Sequence, residues 1–199
     1  MEFTFKAGHP GLDFVNTAFL ELSERSQVER IGDGGAFVAW LVEASLIDRA
    51  SATALKRRFG NEALDGVAAD ARKLRQWACD WIARWHVAPR ADYGSEVRRI
   101  NRALERASWY HQLAFEDGRL KLAQRFRLES TEDLLALLLL QVALLVTQEE
   151  PELVKRCAGA DCVLWFVDRT KAHRRLFCSA AVCGNRAKVA AFRARQRAT

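Results

Sequence analysis

Apolar positions recur along this chain with helical spacing, then with a period near two, then with helical spacing again. Between Asp33 and Ala44, Phe37, Leu41 and Ala44 share one side with Trp40 beside them. That predicts a helix preceded by Gly32 and weakened in its first turn by Gly34 and Gly35. Leu64 to Trp85 is the longest helical stretch, with Val67, Leu74, Trp77, Trp81, Ile82 and Trp85 on one side and Pro89 to end it. Ser95 to Ala107 is another, with Ser95 placed to cap and Val97, Ile100 and Leu104 as its stripe. The period then shortens. Trp109 to Phe115 and Leu120 to Phe126 alternate around Glu116-Asp117-Gly118-Arg119, which predicts a β-hairpin. Ser130 with Asp133 forms a capping-box pattern, and the helix it starts, Thr131 to about Glu149, is apolar nearly all round. Such a helix belongs at the centre of a core.

The elements add up to a mainly α chain. Residues 1–150 form a helical N-terminal domain with one β-hairpin. Residues 151–199, after Pro151, form a small C-terminal module with short β elements and a terminal helix from about Asn185 to Gln196. Half of the 199 residues are hydrophobic, enough for a real core. The longest apolar run, Leu134 to Val146, contains Gln141 and falls short of the roughly 20 residues a membrane span needs. The N-terminus has neither the basic nor the apolar segment of a signal peptide. A soluble, cytoplasmic protein with no membrane partner is expected. The net charge of +6 is uneven: residues 151–199 hold eleven Lys and Arg against three Asp and Glu, so residues 1–150 are close to neutral. A polyanion-binding module attached to a near-neutral body would be built this way.

Four of the five cysteines lie in that module as Cys157-x4-Cys162 and Cys178-x4-Cys183, fifteen residues apart. In a reducing cytosol a spaced cysteine set indicates a metal rather than disulfides. Two pairs, each bracketing a short loop, can close on one tetrahedral Zn²⁺, and four thiolates leave no open position, which makes the zinc structural. A module this small also needs metal to fold. Four reduced buried cysteines or an iron–sulfur cluster are the alternatives. His173, between the pairs, could replace a cysteine, but a lone His in a basic turn more often faces solvent or a phosphate. Cys79, within Trp77-Ala78-Cys79-Asp80-Trp81, reads as an ordinary semi-buried core residue.

Cys157 to Arg197 resembles the CGNR zinc finger, named for the tetrapeptide present here as Cys183-Gly184-Asn185-Arg186. Trp165-Phe166-Val167-Asp168-Arg169 and Arg174-Arg175-Leu176-Phe177-Cys178-Ser179 fit the resemblance, with Leu176-Phe177 standing where the family commonly has Trp. Gly8-His9-Pro10-Gly11-Leu12-Asp13-Phe14-Val15-Asn16-Thr17, with Trp40-Leu41 further on, is similar to the opening of the ABATE domain, a resemblance spanning most of residues 5–150. Together they imply a bacterial transcription regulator in which that domain precedes the finger.

The basic residues point the same way by themselves. On the terminal helix Arg186, Arg193 and Arg197 fall within about 40° of one another, and Lys188 and Arg195 lie further round. Val189 and Phe192 occupy another side, available to pack on the knuckle. Arg169, Lys171, Arg174 and Arg175 cluster in the turn between the cysteine pairs. Such a helix could enter a major groove of duplex DNA, with Arg186 and Arg193 at base edges and Arg174, Arg175 and Lys171 on phosphates. The rivals are a solvated basic face, with Arg174 or Arg186 paired to Asp168 or Asp161; a zinc-stapled module that docks an acidic protein; and an RNA binder stacking bases on Trp165 or Phe166. His9, Asp13 and Asn16 could line a small-molecule pocket in the N-terminal domain, but hydrogen bonds that cap or brace helices account for them more simply. That domain could sense a signal or form a homodimer. The chain carries no Gly-rich phosphate loop, His-Glu-x-x-His or nucleophile elbow, so no enzyme activity is expected.

Overall fold

The computed structural model describes residues 7–21, 26–116 and 118–197. In chain order the elements are α1 (Pro10–Val15), β1 (Ala18–Glu21), β2 (Ser26–Glu29), α2 (Gly34–Glu43), α3 (Arg49–Val87), α4 (Gly94–Leu104), β3 (Trp109–Glu116), β4 (Arg119–Phe126), α5 (Thr131–Gln148), β5 (Val154–Arg156), β6 (Trp165–Val167) and α6 (Asn185–Arg197). The strands form three separate antiparallel pairs, β1 with β2, β3 with β4 and β5 with β6. The mainly α expectation holds. The first of these pairs has only four residues per strand and carries no alternating signal that would have marked it in advance.

α5 is the centre of the helical body and packs on α1, α3 and α4. Its capping box is complete: Ser130 Oγ accepts from the Asp133 amide at 3.3 Å and Asp133 Oδ2 accepts from the Ser130 amide at 2.8 Å. No residue from Asp133 to Val146 is exposed, and Leu134, Leu138, Val142 and Leu145 have no accessible surface. Burying each such side chain stabilises the fold by about 1.5–3 kcal/mol. By length and composition alone α5 could cross a membrane, but its apolar surface is used against neighbouring helices. α1 approaches it so closely that a Cβ on Gly11 would lie 2.6 Å from the Gln141 carbonyl oxygen.

α2 is capped by Asp33, whose Oδ1 accepts from the Ala36 amide at 2.7 Å. Gly34, expected only to weaken the first turn, is the point where α2 rests on α3: a Cβ there would sit 2.4 Å from Leu64 Cβ, and its amide donates to Asp65 Oδ1. α3 is longer than its periodicity predicts because a preceding helix, capped by Asp48, runs into it. The junction is Gly60 (φ 71°, ψ 174°), a conformation a Cβ would strain. α4 corrects two details of the sequence reading. Ser95 does not cap it but donates to the Glu96 carboxylate, and Val97 is exposed. Its buried positions are Ile100 and Glu96, the latter paired to Arg84, and Leu104 packs against the core beside them. The β3–β4 hairpin runs in full register from Trp109↔Phe126 to Glu116↔Arg119; Asp117, in its turn, lies outside the described residues.

β6 is where the body meets the C-terminal residues. Its side chains alternate by the two-residue period of a strand. Trp165 and Val167 join the core of the helical body, whereas Phe166 joins a second cluster with Cys157, Cys178 and Cys183. The chain near α1 holds β6 in place. Val167 N donates to Ala7 O at 2.7 Å, and Asn16 clamps the Trp165 peptide groups, Nδ2 donating to Trp165 O at 2.8 Å and Oδ1 accepting from Trp165 N at 2.9 Å. His86 adds an edge contact to the Trp165 ring, 5.7 Å between centroids, and its Nδ1 lies 3.0 Å from Pro151 O.

Candidate metal centre and its basic surface

The turn from Cys157 to Cys162 is closed by Cys162 N donating to Gly159 O and by Asp161 at φ 64°, a left-handed position that Asp tolerates. Cys157 N and Ala158 N donate to Leu164 O and Leu176 O, which ties this first loop to the segments on either side. The second loop is a π-helical turn, Ala180–Gly184, started by Ser179, whose Oγ accepts from Val182 N and whose carbonyl accepts from Gly184 N. It runs directly into α6. The two loops bring all four sulfurs within 4.8 Å of one another.

That arrangement fits zinc. A tetrahedron with Zn–S of about 2.3 Å has S···S edges of about 3.8 Å. Cys162 Sγ and Cys178 Sγ are 3.8 Å apart, and Cys178 Sγ and Cys183 Sγ are 3.7 Å apart. Cys157 Sγ also accepts amide hydrogens from Gly159 at 3.4 Å and Cys178 at 3.3 Å, bonds that favour a thiolate. Four sulfurs so close cannot all ionise unaided. The Cys162 thiol is held down, to about 5, by hydrogen bonding from Cys178 above all. Cys178 is pushed up by its bond to Cys162, and Cys183 is pushed up to about 12 by burial first. A divalent cation removes this conflict by replacing the shared protons. All five cysteines are free of disulfides. His173 is not part of the cluster: at φ 49° its Nδ1 lies 3.2 Å from the Asp168 carbonyl oxygen. Cys79 is half-buried with its thiol pushed up to about 11 by burial, in keeping with a core role.

The cations named from sequence divide into two groups. Arg175 belongs to the knuckle: its Nε donates to Phe177 O at 2.9 Å, its Nη2 to Cys178 O, and its guanidinium lies over the Phe166 ring at 4.3 Å. Arg169 pairs with Glu149 and donates to Gly8 O, linking the module to the body. Lys171, Arg174, Arg186, Lys188, Arg193 and Arg197 lie exposed on the outer surface. The buried Asp168 is held by Lys155 Nζ at 2.7 Å and by Thr170 N, Thr170 Oγ1 and Arg175 N. Its burial alone would raise its carboxyl; these bonds hold it well below the usual carboxylate range. The cation paired to it is Lys155, rather than Arg174 or Arg186, the pairings a solvated basic face allowed.

α6 departs from expectation in one respect. None of its thirteen residues is buried, and Val189 and Phe192, expected against the knuckle, are 41% and 53% exposed. The π-helical turn leads straight into the helix, which stays at the surface along its whole length. Trp165 and Phe166 are buried, so neither offers a face for RNA bases. His9, Asp13 and Asn16 are brought together, but their polar atoms serve internal bonds. His9 Nδ1 accepts from Gly11 N and caps α1, Asp13 Oδ1 accepts from Ala7 N, and Asn16 clamps Trp165. Burial lowers His9 and raises Asp13 to about 6. An open surface groove lies elsewhere, between Ala83, Val87, Ala91 and Tyr93.

The fold and the four-cysteine centre define a zinc-finger protein with a helical N-terminal body. Residues 154–196 match the CGNR zinc finger, and residues 8–149 match ABATE, described as "Putative stress-induced transcription regulator". The chain belongs to the ABATE family and carries a CGNR zinc finger at its C-terminal end. Neither is an enzyme family. No curated protein matches the sequence.

Proposed function

We propose that this protein is a bacterial, cytoplasmic transcription regulator whose finger, residues 151–199, binds duplex DNA and whose body, residues 1–150, senses a signal or dimerises. The observation that carries this reading is α6 itself. It is a helix without a buried residue, anchored at its first turn by the metal centre, with Arg186, Arg193 and Arg197 along one line. A helix of this length is marginal in water by itself, so the knuckle holds it ready to enter a groove. Arg186 and Arg193 reach base edges, Lys171 and Arg174 hold phosphates, Arg175 braces the knuckle, and Arg169 ties the finger to the body.

The test is zinc-loaded protein against a random duplex pool, by fluorescence anisotropy at several salt concentrations, with retained sequences read out. Replacing each phosphate-binding cation by Ala should flatten the log–log salt slope by about 0.9. Wild type should enrich a motif and R186A/R193A should not; equal affinity for every duplex would sink the reading. The second reading is supported by Val189 and Phe192. On a helical wheel they form an apolar stripe flanked by Lys188 and Arg195 on one side and Arg186, Arg193 and Arg197 on the other. An acidic protein with an apolar groove would suit that stripe. Loss of partner binding in F192A with DNA affinity unchanged would favour it.

A further inference from the structure

The β3–β4 hairpin leaves the outer part of its apolar face exposed. In the observed register, Leu113 pairs with Leu122 and Phe115 with Leu120 on one face. These four side chains are 64%, 68%, 72% and 67% exposed, respectively. On the opposite face Ala114, Lys121, Ala123 and Arg125 are half-buried. Arg125 lies near enough to Asp48 to help hold its carboxyl down, after the hydrogen bonds from Ser51. At the base of the hairpin Phe126 packs on the core of the body, whereas further out the apolar face is open to solvent and the half-buried positions lie on the other face, the reverse of a hairpin that packs on its own core along its whole length. A two-stranded hairpin is marginally stable without cover on its apolar face.

We infer that this face is a homodimer interface, with Leu113, Phe115, Leu120 and Leu122 of one copy packing on the same four residues of a second. Two observations select a second copy. The first is area. At these exposures one Phe of about 200 Å² and three Leu of about 170 Å² leave on the order of 450 Å² of apolar surface per copy. Two copies, with the flanking His111 and Gln124, bury roughly 1,000 Å², enough for a specific, moderate-affinity dimer. The second is charge. The face Trp109, His111, Leu113, Phe115, Leu120, Leu122, Gln124 and Phe126 carries no Lys, Arg, Asp or Glu. Laid on itself about a two-fold axis it brings no like charges together, and an uncharged face has no preference for an acidic or basic partner. Such a dimer would present two fingers related by the same axis, as a palindromic site requires. The dimer itself does not depend on the proposal that the finger binds DNA.

The experiment is sedimentation velocity of the full zinc-loaded chain, without nucleic acid, from about 1 to 100 µM. Wild type should shift from monomer to dimer across that range. L113T/L122T, which keeps strand propensity, should raise the dissociation constant at least about tenfold. Q112T/A123T, on the opposite face, should leave it unchanged. Amide exchange on wild type alone gives an arm that needs no variant to fold: residues 109–126 should gain protection as concentration rises. A wild-type monomer at the highest concentration, a dimer that L113T/L122T leaves intact, or equal weakening by Q112T/A123T would overturn the inference. DNA binding measured as above would stand or fall separately.

Discussion

α5 and α6 are helices of one chain with opposite surroundings. α5 has eight buried residues and no exposed position from Asp133 to Val146; α6 has no buried residue at all. α5 is held by apolar surface removed from water, so its sequence can dispense with charge through its middle. α6 is rich in Ala, Arg and Lys, which favour helix, and it is held at one end, where Cys183 and the π-helical turn lead into its first residue. The same contrast separates the two cores. One is a wide set of aliphatic and aromatic side chains; the other is four cysteines around Phe166. A body can be stabilised by area, whereas a module of under fifty residues needs an ion. A surface freed from packing is then available for binding.

Removing the metal is the strongest way to break that contrast. Structural zinc contributes on the order of 10–16 kcal/mol in finger-sized units. C178S, or chelation of wild type, should take zinc from one ion per chain to none and abolish amide protection at Phe166 and Cys178. Protection in α5 should persist. If Leu138 lost protection at the same time, the two cores would be one cooperative unit and the contrast would fail. Next come matched truncations. L138A should lower stability by about 2–5 kcal/mol because Leu138 is fully buried. F192A on α6 should change it by less than about 0.5 kcal/mol. Thermal unfolding of the two variants side by side checks both.

The seam between the cores gives a smaller effect. N16A removes both bonds to the Trp165 peptide groups and should cost about 1–3 kcal/mol. Exchange at the Trp165 amide should quicken while zinc content stays at one. Smallest is Asp13. Its carboxyl is raised to about 6 by burial, so the folded state holds a proton more tightly than the unfolded chain. Wild-type stability should therefore fall as pH rises from about 4 through 6. D13N should gain about 1 kcal/mol at pH 7, a figure reduced for partial exposure, and the gain should vanish below about pH 4. Denaturant titrations of both proteins across that range decide it; a gain independent of pH would contradict the assignment.

Features formed by neighbours in sequence could be read directly. The Cys-x4-Cys loops, the Ser130–Asp133 capping box, the β3–β4 hairpin and the apolar continuity of α5 all depend on residues a few positions apart. The zinc ligands are the clearest case, because each loop sets the spacing of its own two sulfurs. What sequence left undecided was the assignment of partners. Arg169 and Arg175 look like Lys171 and Arg174 in a basic turn, yet the first two are bound to Glu149, Gly8, Phe177 and Cys178. Asn16 lies 149 positions from the peptide it clamps. A short β run through Trp165, Phe166 and Val167 could be seen, but not that its two sides would serve two different cores. Local spacing thus determined the metal site and most elements of this protein. Which polar side chains turned inward, and which apolar faces were left outward on β3–β4 and α6, was decided only when distant segments came together, because burial depends on the rest of the chain.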